Sequence, residues 1–135
     1  MRNASIALLL LILGCNQPEI ERPATEPDDV IGTSTRWMGT LPCADCGGIL
    51  YDLELNAETG RFTLTSTYLA TKDGDRTYTR TGRYSWTETI VCTLPQPPEP
   101  EECFMLKDVD TLLKLDRAGN VIESLFSYEL KRDKG

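Results

Sequence analysis

Cys43 and Cys46 stand at C-x-x-C spacing within Leu41-Pro42-Cys43-Ala44-Asp45-Cys46-Gly47-Gly48-Ile49. Two sulfurs this close support three chemistries. As thiolates they bind a soft metal. Thiolate and thioether ligands select Cu(I), and Met38, upstream of the pair, adds a thioether. Zinc fits poorly, because it wants four ligands and the sequence contains no histidine. As a dithiol the pair exchanges electrons. A thioredoxin-like site, however, sets its first cysteine at a helix N-terminus, which lowers the thiol pKa. Here two glycines and a strand-like run follow, and the charge of Asp45 disfavours a thiolate. As an inert disulfide the pair simply pins its loop. Cys43 and Cys46 are therefore candidate Cu(I) ligands or a redox-responsive pair, with Met38 as a secondary candidate and the structural disulfide as the competing reading.

Cys92 and Cys103 flank a different kind of segment. Thr93 to Glu102 contains Pro95, Pro97, Pro98 and Pro100 with Glu99, Glu101 and Glu102, so it cannot continue a ladder and reads as a loop between two strands. A symmetric hairpin turning between Pro97 and Pro98 sets Cys92 opposite Cys103. In an oxidising compartment the spacing predicts a disulfide across the mouth of this loop, contributing about 2–3 kcal/mol by loop closure.

Composition removes other chemistries. Without histidine there is no Ser-His or Cys-His nucleophile and no His-containing zinc site, so a non-enzymatic role is expected. The net charge of -7 over 135 residues argues against nucleic acid, whose binding depends on Lys and Arg neutralising phosphates.

The elements that must position the cysteines read as strands. Ile49, Tyr51, Leu53 and Leu55 alternate with polar or outward residues, as do Phe62, Leu64, Ser66 and Tyr68 with Arg61, Thr63, Thr65 and Thr67. Further runs cover Thr35 to Leu41, Thr77 to Thr87, Ile90 to Leu94, Cys103 to Lys107, Thr111 to Leu115 and Leu125 to Lys131. Turns are expected at Glu58-Thr59-Gly60, Lys72 to Asp75 and Asp116 to Asn120. Gly82 inside a strand points to a bulge or a close approach. About eight short antiparallel strands suggest an all-β, up-and-down closed barrel, lipocalin-like, with a sandwich as the alternative. A barrel of this size is just wide enough to fill with side chains or to hold one small ligand. The alternative function is therefore a lipocalin-like carrier of a small apolar ligand in the lumen.

The N-terminus reads as export and anchorage. Arg2 precedes an apolar run from Ala4 to Leu13, about ten residues long and too short to span a bilayer. It ends Ile12-Leu13-Gly14-Cys15, which resembles the bacterial lipobox, in which a cysteine in the place of Cys15 is diacylated and becomes the new N-terminus. Acyl chains hold a protein to the membrane at about 0.8 kcal/mol per buried CH₂. By resemblance to the sorting of such lipoproteins, Asn16, where an Asp would retain the protein, favours the outer membrane of a Gram-negative bacterium with the domain facing the periplasm. The segment after Cys15, rich in proline and acidic residues, reads as an extended tether. The expected organisation is a signal peptide over 1–14, the lipidated cysteine and tether over 15–33, and the barrel over 34–135.

With these residues in view, the chain resembles the NlpE-like lipoproteins, an envelope family linked to copper homeostasis and resistance. The resemblance rests on Gly39-Thr40-Leu41-Pro42-Cys43-Ala44-Asp45-Cys46-x-Gly48-Ile49. It continues through Phe62-Thr63-Leu64, Tyr68-Leu69, Gly82 with Trp86, and Leu115-Asp116-Arg117-x-Gly119-Asn120-x-Ile122-Glu123-Ser124, covering about Arg36 to Lys131. It implies a lipocalin-like barrel anchored to the outer membrane, roles in copper handling, surface sensing and envelope stress, and an envelope signalling partner. By position Cys43 and Cys46 match the family's C-x-x-C and Cys15 its lipidated cysteine. There are departures. Longer members carry a second, OB-like domain that this sequence, ending at Gly135, does not show, so roles depending on it are expected not to transfer. The Gly82–Trp86 spacing is longer than the family's Gly-x-Trp, and the proline-rich insert looks like an addition.

Overall fold

A period of two puts one parity of each strand into a shared interior, and here that interior closes on itself. The computed structural model describes residues 28–135. Its strands are β1 (Thr35–Leu41), β2 (Gly48–Asn56), β3 (Arg61–Thr71), β4 (Gly74–Thr87), β5 (Ile90–Pro95), β6 (Cys103–Asp108), β7 (Thr111–Lys114) and β8 (Glu129–Asp133). They pair antiparallel in sequence order, and β1 against β8 closes the barrel. The all-β, up-and-down barrel expected from the sequence is the fold. Closure leaves no unpaired sheet edge.

Trp37, Leu53, Val91, Phe104, Leu112 and Leu130 all point inward and are fully buried, joined by Phe62 and Leu64. Inside, the Trp37 indole Nε1 donates to Thr35 Oγ1 at 2.8 Å. Aromatic and leucine side chains thus form the core inside the barrel.

The turns follow local chemistry. Asn56 Oδ1 accepts from the backbone N–H groups of Glu58 and Thr59 at 3.0 and 3.2 Å. Asp116 Oδ1 does the same for Ala118 and Asn120, both at 2.9 Å. Such side-chain-to-backbone bonds are why Asn and Asp head these turns. Gly82 is a close approach, not a bulge. A Cβ there would lie 2.7 Å from Leu94 O and 3.0 Å from Phe62 Cε1. The bulge falls in the same hairpin between Tyr68 and Thr71.

The strands expected from Leu125 and the tether expected to Thr33 both need correction. β8 begins only at Glu129, and Leu125 and Phe126 are exposed, at 104% and 70%. The reason is a missing partner: β7 stops at Lys114, whose N–H donates to Tyr128 O at 2.9 Å, and Leu115 then bridges Val121, so residues 125–127 have no strand beside them. Tyr128 and Leu130 do keep the expected parity towards the core. At the other end, Asp28–Ile31 forms one turn of helix, α1, and Val30 is buried in the core at 1% exposure. An apolar residue next to the barrel opening finds cover there, so the domain begins before Thr33. The expected signal peptide, the expected lipidation site Cys15 and the expected tether up to Pro27 lie outside the described residues.

The connectivity gives the barrel two unlike rims. The proximal rim, where α1 enters and β8 leaves, carries the connections β2–β3, β4–β5 and β6–β7. The distal rim carries the C-x-x-C loop between β1 and β2, the β3–β4 turn, the proline-rich loop between β5 and β6, and the long β7–β8 connection.

Candidate functional site

The C-x-x-C loop is short and held down. β1 ends at buried Leu41 and β2 starts at Gly48, leaving residues 42–47 to turn the chain. Cys43 and Cys46 are disulfide-bonded, with Cα atoms 5.4 Å apart. The Gly47 N–H donates to Leu69 O at 2.8 Å, fastening the loop to the bulged end of β3. Gly48 has φ +147°, and a Cβ there would meet Thr40 Cγ2 at 2.9 Å, so glycine is required where the loop re-enters the sheet. Both cysteines are half-buried, while Ala44 and Asp45 are exposed. The loop thus offers a rigid, solvent-accessible disulfide at the distal rim.

That geometry does not fit a resident Cu(I). A disulfide presents no thiolate. Met38 lies on the outer face of β1, opposite in parity to Trp37 and paired in register with Asp52 and Lys131. Roughly 10 Å of strand separates it from the end of β1, and the structure does not bring it to the cysteines. Among the described residues no three His, Cys, Asp or Glu side chains gather as a metal-binding group.

Cys92 and Cys103 are direct cross-strand partners and are disulfide-bonded, with Cα atoms 4.1 Å apart, as the hairpin symmetry predicts. Their parity is outward, since Val91, Thr93 and Phe104 face the core. The bond closes the proline-rich loop from outside.

One polar group inside the distal half went unread in the sequence. Glu102, expected at the end of the proline-rich loop, is 9% exposed and points into the barrel. The Tyr51 hydroxyl donates to its Oε1 at 2.6 Å and Arg80 Nη1 to its Oε2 at 3.3 Å, while Lys114 Nζ lies 3.6 Å from Oε1. Its backbone is clamped to Thr93, whose N–H donates to Glu102 O at 2.9 Å and whose Oγ1 accepts from Glu102 N at 3.1 Å. Lys114 also sits 5.4 Å from the centre of the Phe104 ring. Burial raises the Tyr51 pKa well above the usual phenol range, and the neighbouring Glu102 charge adds to it. Burial lowers the Lys114 pKa, with Glu102 opposing. The available signal was parity: Glu102 alternates with Phe104 and Leu106, both inward.

The deepest difference from this polar group is a larger, open cleft of about 780 Å³ at the proximal rim, lined by residues including Arg36, Asp110 and Arg132. It lies at the opposite end from every cysteine in the described residues.

The family model of the NlpE N-terminal domain matches residues 37–125. The chain belongs to this family. The match runs from Trp37 through the C-x-x-C loop, both partners of the cross-strand disulfide and the buried Glu102, to Leu125. Lipoprotein NlpE of Escherichia coli (strain K12) is 30% identical over 130 residues, which is 94% of this chain and 53% of that protein. This NlpE domain chain therefore spans about half the length of that curated relative. The crystal structure of the Cpx pathway activator NlpE from E. coli superposes with a TM-score of 0.58 at 31% identity, over 75% of this chain and 52% of that one. A candidate lipoprotein from Shewanella oneidensis gives a TM-score of 0.59 at 27% identity, over 74% of this chain and 88% of that one. The NlpE family and the barrel expected from the residues are thus both shown.

Proposed function

We propose that this chain is a non-enzymatic envelope lipoprotein, anchored through Cys15 to the outer membrane, whose C-x-x-C loop is a redox-responsive element read by an envelope signalling protein. One observation carries the reading. The half-buried Cys43–Cys46 disulfide sits on the distal rim, opposite the rim where the N-terminal segment enters. A tether through Cys15 would leave that loop facing away from its own membrane. The E. coli relative described as a Cpx pathway activator supports a signalling role, and the relative named as a lipoprotein supports the anchor.

The chemistry suits response better than turnover. A dithiol reductant donates two electrons, the S–S bond breaks, two thiols form, and the reductant leaves as its own disulfide. Asp45 disfavours the attacking thiolate, and no helix N-terminus supports it, so rapid cycling is not favoured. On reduction Cys46 Sγ has an acceptor in place, Gly48 O at 3.3 Å. Copper belongs to this reading only through the reduced pair, whose two thiolates suit Cu(I).

The test is thiol trapping in intact cells expressing the full chain. Alkylation, followed by mass spectrometry without reduction, maps the four cysteines of the barrel. Cys92 and Cys103 should stay blocked throughout, and Cys43 and Cys46 should become alkylated when the envelope is made reducing. A pair blocked under every condition is structural, and the redox reading fails. Equal Cu(I) affinity of the reduced chain and its Cys43→Ser, Cys46→Ser variant would remove copper from it.

A further inference from the structure

The distal rim holds a second concavity, formed without the C-x-x-C loop. Along the inward parity of β3, buried Phe62, Leu64 and Ser66 lead to Tyr68. Along β4, Gly82 leads to Arg80, Tyr78 and Arg76. The interior therefore changes from hydrocarbon to phenol and guanidinium as these strands approach the rim. Over the side chains that these paired strands present lies a cleft of about 320 Å³, lined by Tyr68, Thr71, Arg76, Tyr78 and Arg80. The Tyr68 and Tyr78 rings meet edge to face with centroids 5.7 Å apart. No carboxylate lines the cleft. Asp73 Oδ2 accepts from Arg76 Nη2 at 3.3 Å, which leaves the other donors of that fork.

Arg80 ties this cleft to the buried Glu102 group. Its Nη1 donates to Glu102 Oε2, and among the described residues no other protein group accepts from the rest of its guanidinium. An arginine carries five N–H donors in a rigid fork, so most of this fork is available to the cleft. Glu102, in turn, is already served by Tyr51, Arg80 and Lys114 and has little to offer an incoming cation. One carboxylate against two cations leaves the group locally positive, in a chain whose net charge is -7. A buried ion cluster seldom adds stability over an apolar replacement. Its effect here is to hold a guanidinium at the edge of an aromatic-walled cleft.

We propose that this cleft binds a small organic anion, a carboxylate carried on a planar or aromatic body. The carboxylate sits on the Arg80 and Arg76 forks, which match its two oxygens. The body packs against Tyr68 and Tyr78. The cleft is at the small end of the size range for ligand pockets, roughly 300–1,000 Å³, which limits the ligand to a compact molecule. The site is separate from the redox reading of Cys43 and Cys46, and either can fail alone.

Benzoate and its uncharged counterpart benzamide are the probes. Each is titrated into the full chain in detergent and followed by chemical shifts of the backbone amides. Benzoate should shift the amides of Tyr68, Arg76, Tyr78 and Arg80 saturably, and benzamide should not. Arg80→Gln should weaken benzoate by about tenfold, the loss of one charge-assisted bond. Tyr78→Ala, at a half-exposed ring that does not touch Glu102, should weaken it by about threefold. Arg76→Gln, also clear of Glu102, should do the same by about threefold. These two variants carry the test if Arg80→Gln loses its native amide spectrum. Equal response to benzoate and benzamide, shifts confined to other residues, or unchanged affinity in both Arg76→Gln and Tyr78→Ala would overturn the proposal.

Discussion

The two halves of the barrel use the same eight strands and the same alternation, yet they are built for different ends. Near the proximal rim the inward positions are Trp37, Leu53, Leu55, Phe62, Leu64 and Leu112, and Val30 of α1 is buried against them. Towards the distal rim Leu41 and Ile49 are joined by Tyr51, Tyr68, Tyr78, Glu102 and Lys114, with Arg80, the cross-strand partner of Leu64, at the boundary, and both disulfides lie at this end. Burying apolar surface contributes about 25 cal/mol per Å², with no geometric condition attached. A buried charge is tolerated only when its partners are in place. The proximal half therefore holds the fold together. The distal half is specific, partly open and chemically loaded.

This contrast can be broken in order of size. Trp37→Ala removes the largest side chain of the proximal half and should cost about 3–5 kcal/mol, read as a lower urea midpoint. A smaller loss there than for Glu102→Ala would overturn the division of labour. Glu102→Ala strips Tyr51, Arg80 and Lys114 of their common partner and should cost about 3 kcal/mol. Replacing Glu102 with leucine should cost less than replacing it with alanine only if the cations can reach water, so the pair of variants measures how open the distal half is.

A pH titration sharpens the same point. In the unfolded chain Tyr51 ionises near its ordinary value of 10.0, whereas in the barrel its pKa lies well above that. The folded state thus holds a proton that the unfolded state has released. Stability is fully present below pH 10 and declines as pH rises beyond it, by about 1.4 kcal/mol per unit while only the unfolded form ionises. Absorbance at 295 nm should show Tyr51 silent until unfolding, and Tyr51→Phe should abolish its share of the decline. Burial also raises Tyr84, so the variant is needed to assign the signal. The smallest effect belongs to Phe126→Ser. Phe126 is exposed on an unpaired connection, and the change should stay within about 0.5 kcal/mol. A larger loss would mean that this connection packs on the distal half after all.

Much of this architecture is legible in the sequence. The alternation of Ile49 to Leu55 and Phe62 to Tyr68, the turns at Glu58-Thr59-Gly60 and Asp116 to Asn120, and a bulge or close approach at Gly82 are local matters of pleat, side-chain hydrogen bonds and missing Cβ. The Cys92–Cys103 bond was readable because hairpin symmetry is a counting rule. Leu125 and Phe126 misled because an apolar, alternating run looks the same whether or not a neighbouring strand exists to pair with it. Val30 misled in the opposite sense: a single apolar residue after an acidic stretch gives no sign that a barrel opening lies beside it. Met38 was near Cys43 in sequence, but a strand carries residues apart at about 3.3 Å each and sends alternate side chains to opposite faces.

The sequence by itself determined the strands up to β7, where they turn, which family the chain resembles and which distal cysteines face each other. All of these depend on neighbours along the chain or across one hairpin. Only the tertiary structure decided that Glu102 is buried, that its partners come from β2, β4 and β7, and that the cysteine loops gather at the rim opposite the chain's entry. Those facts depend on barrel closure, which brings residues far apart in sequence to one point and sets a charge beside its counter-charges instead of in water.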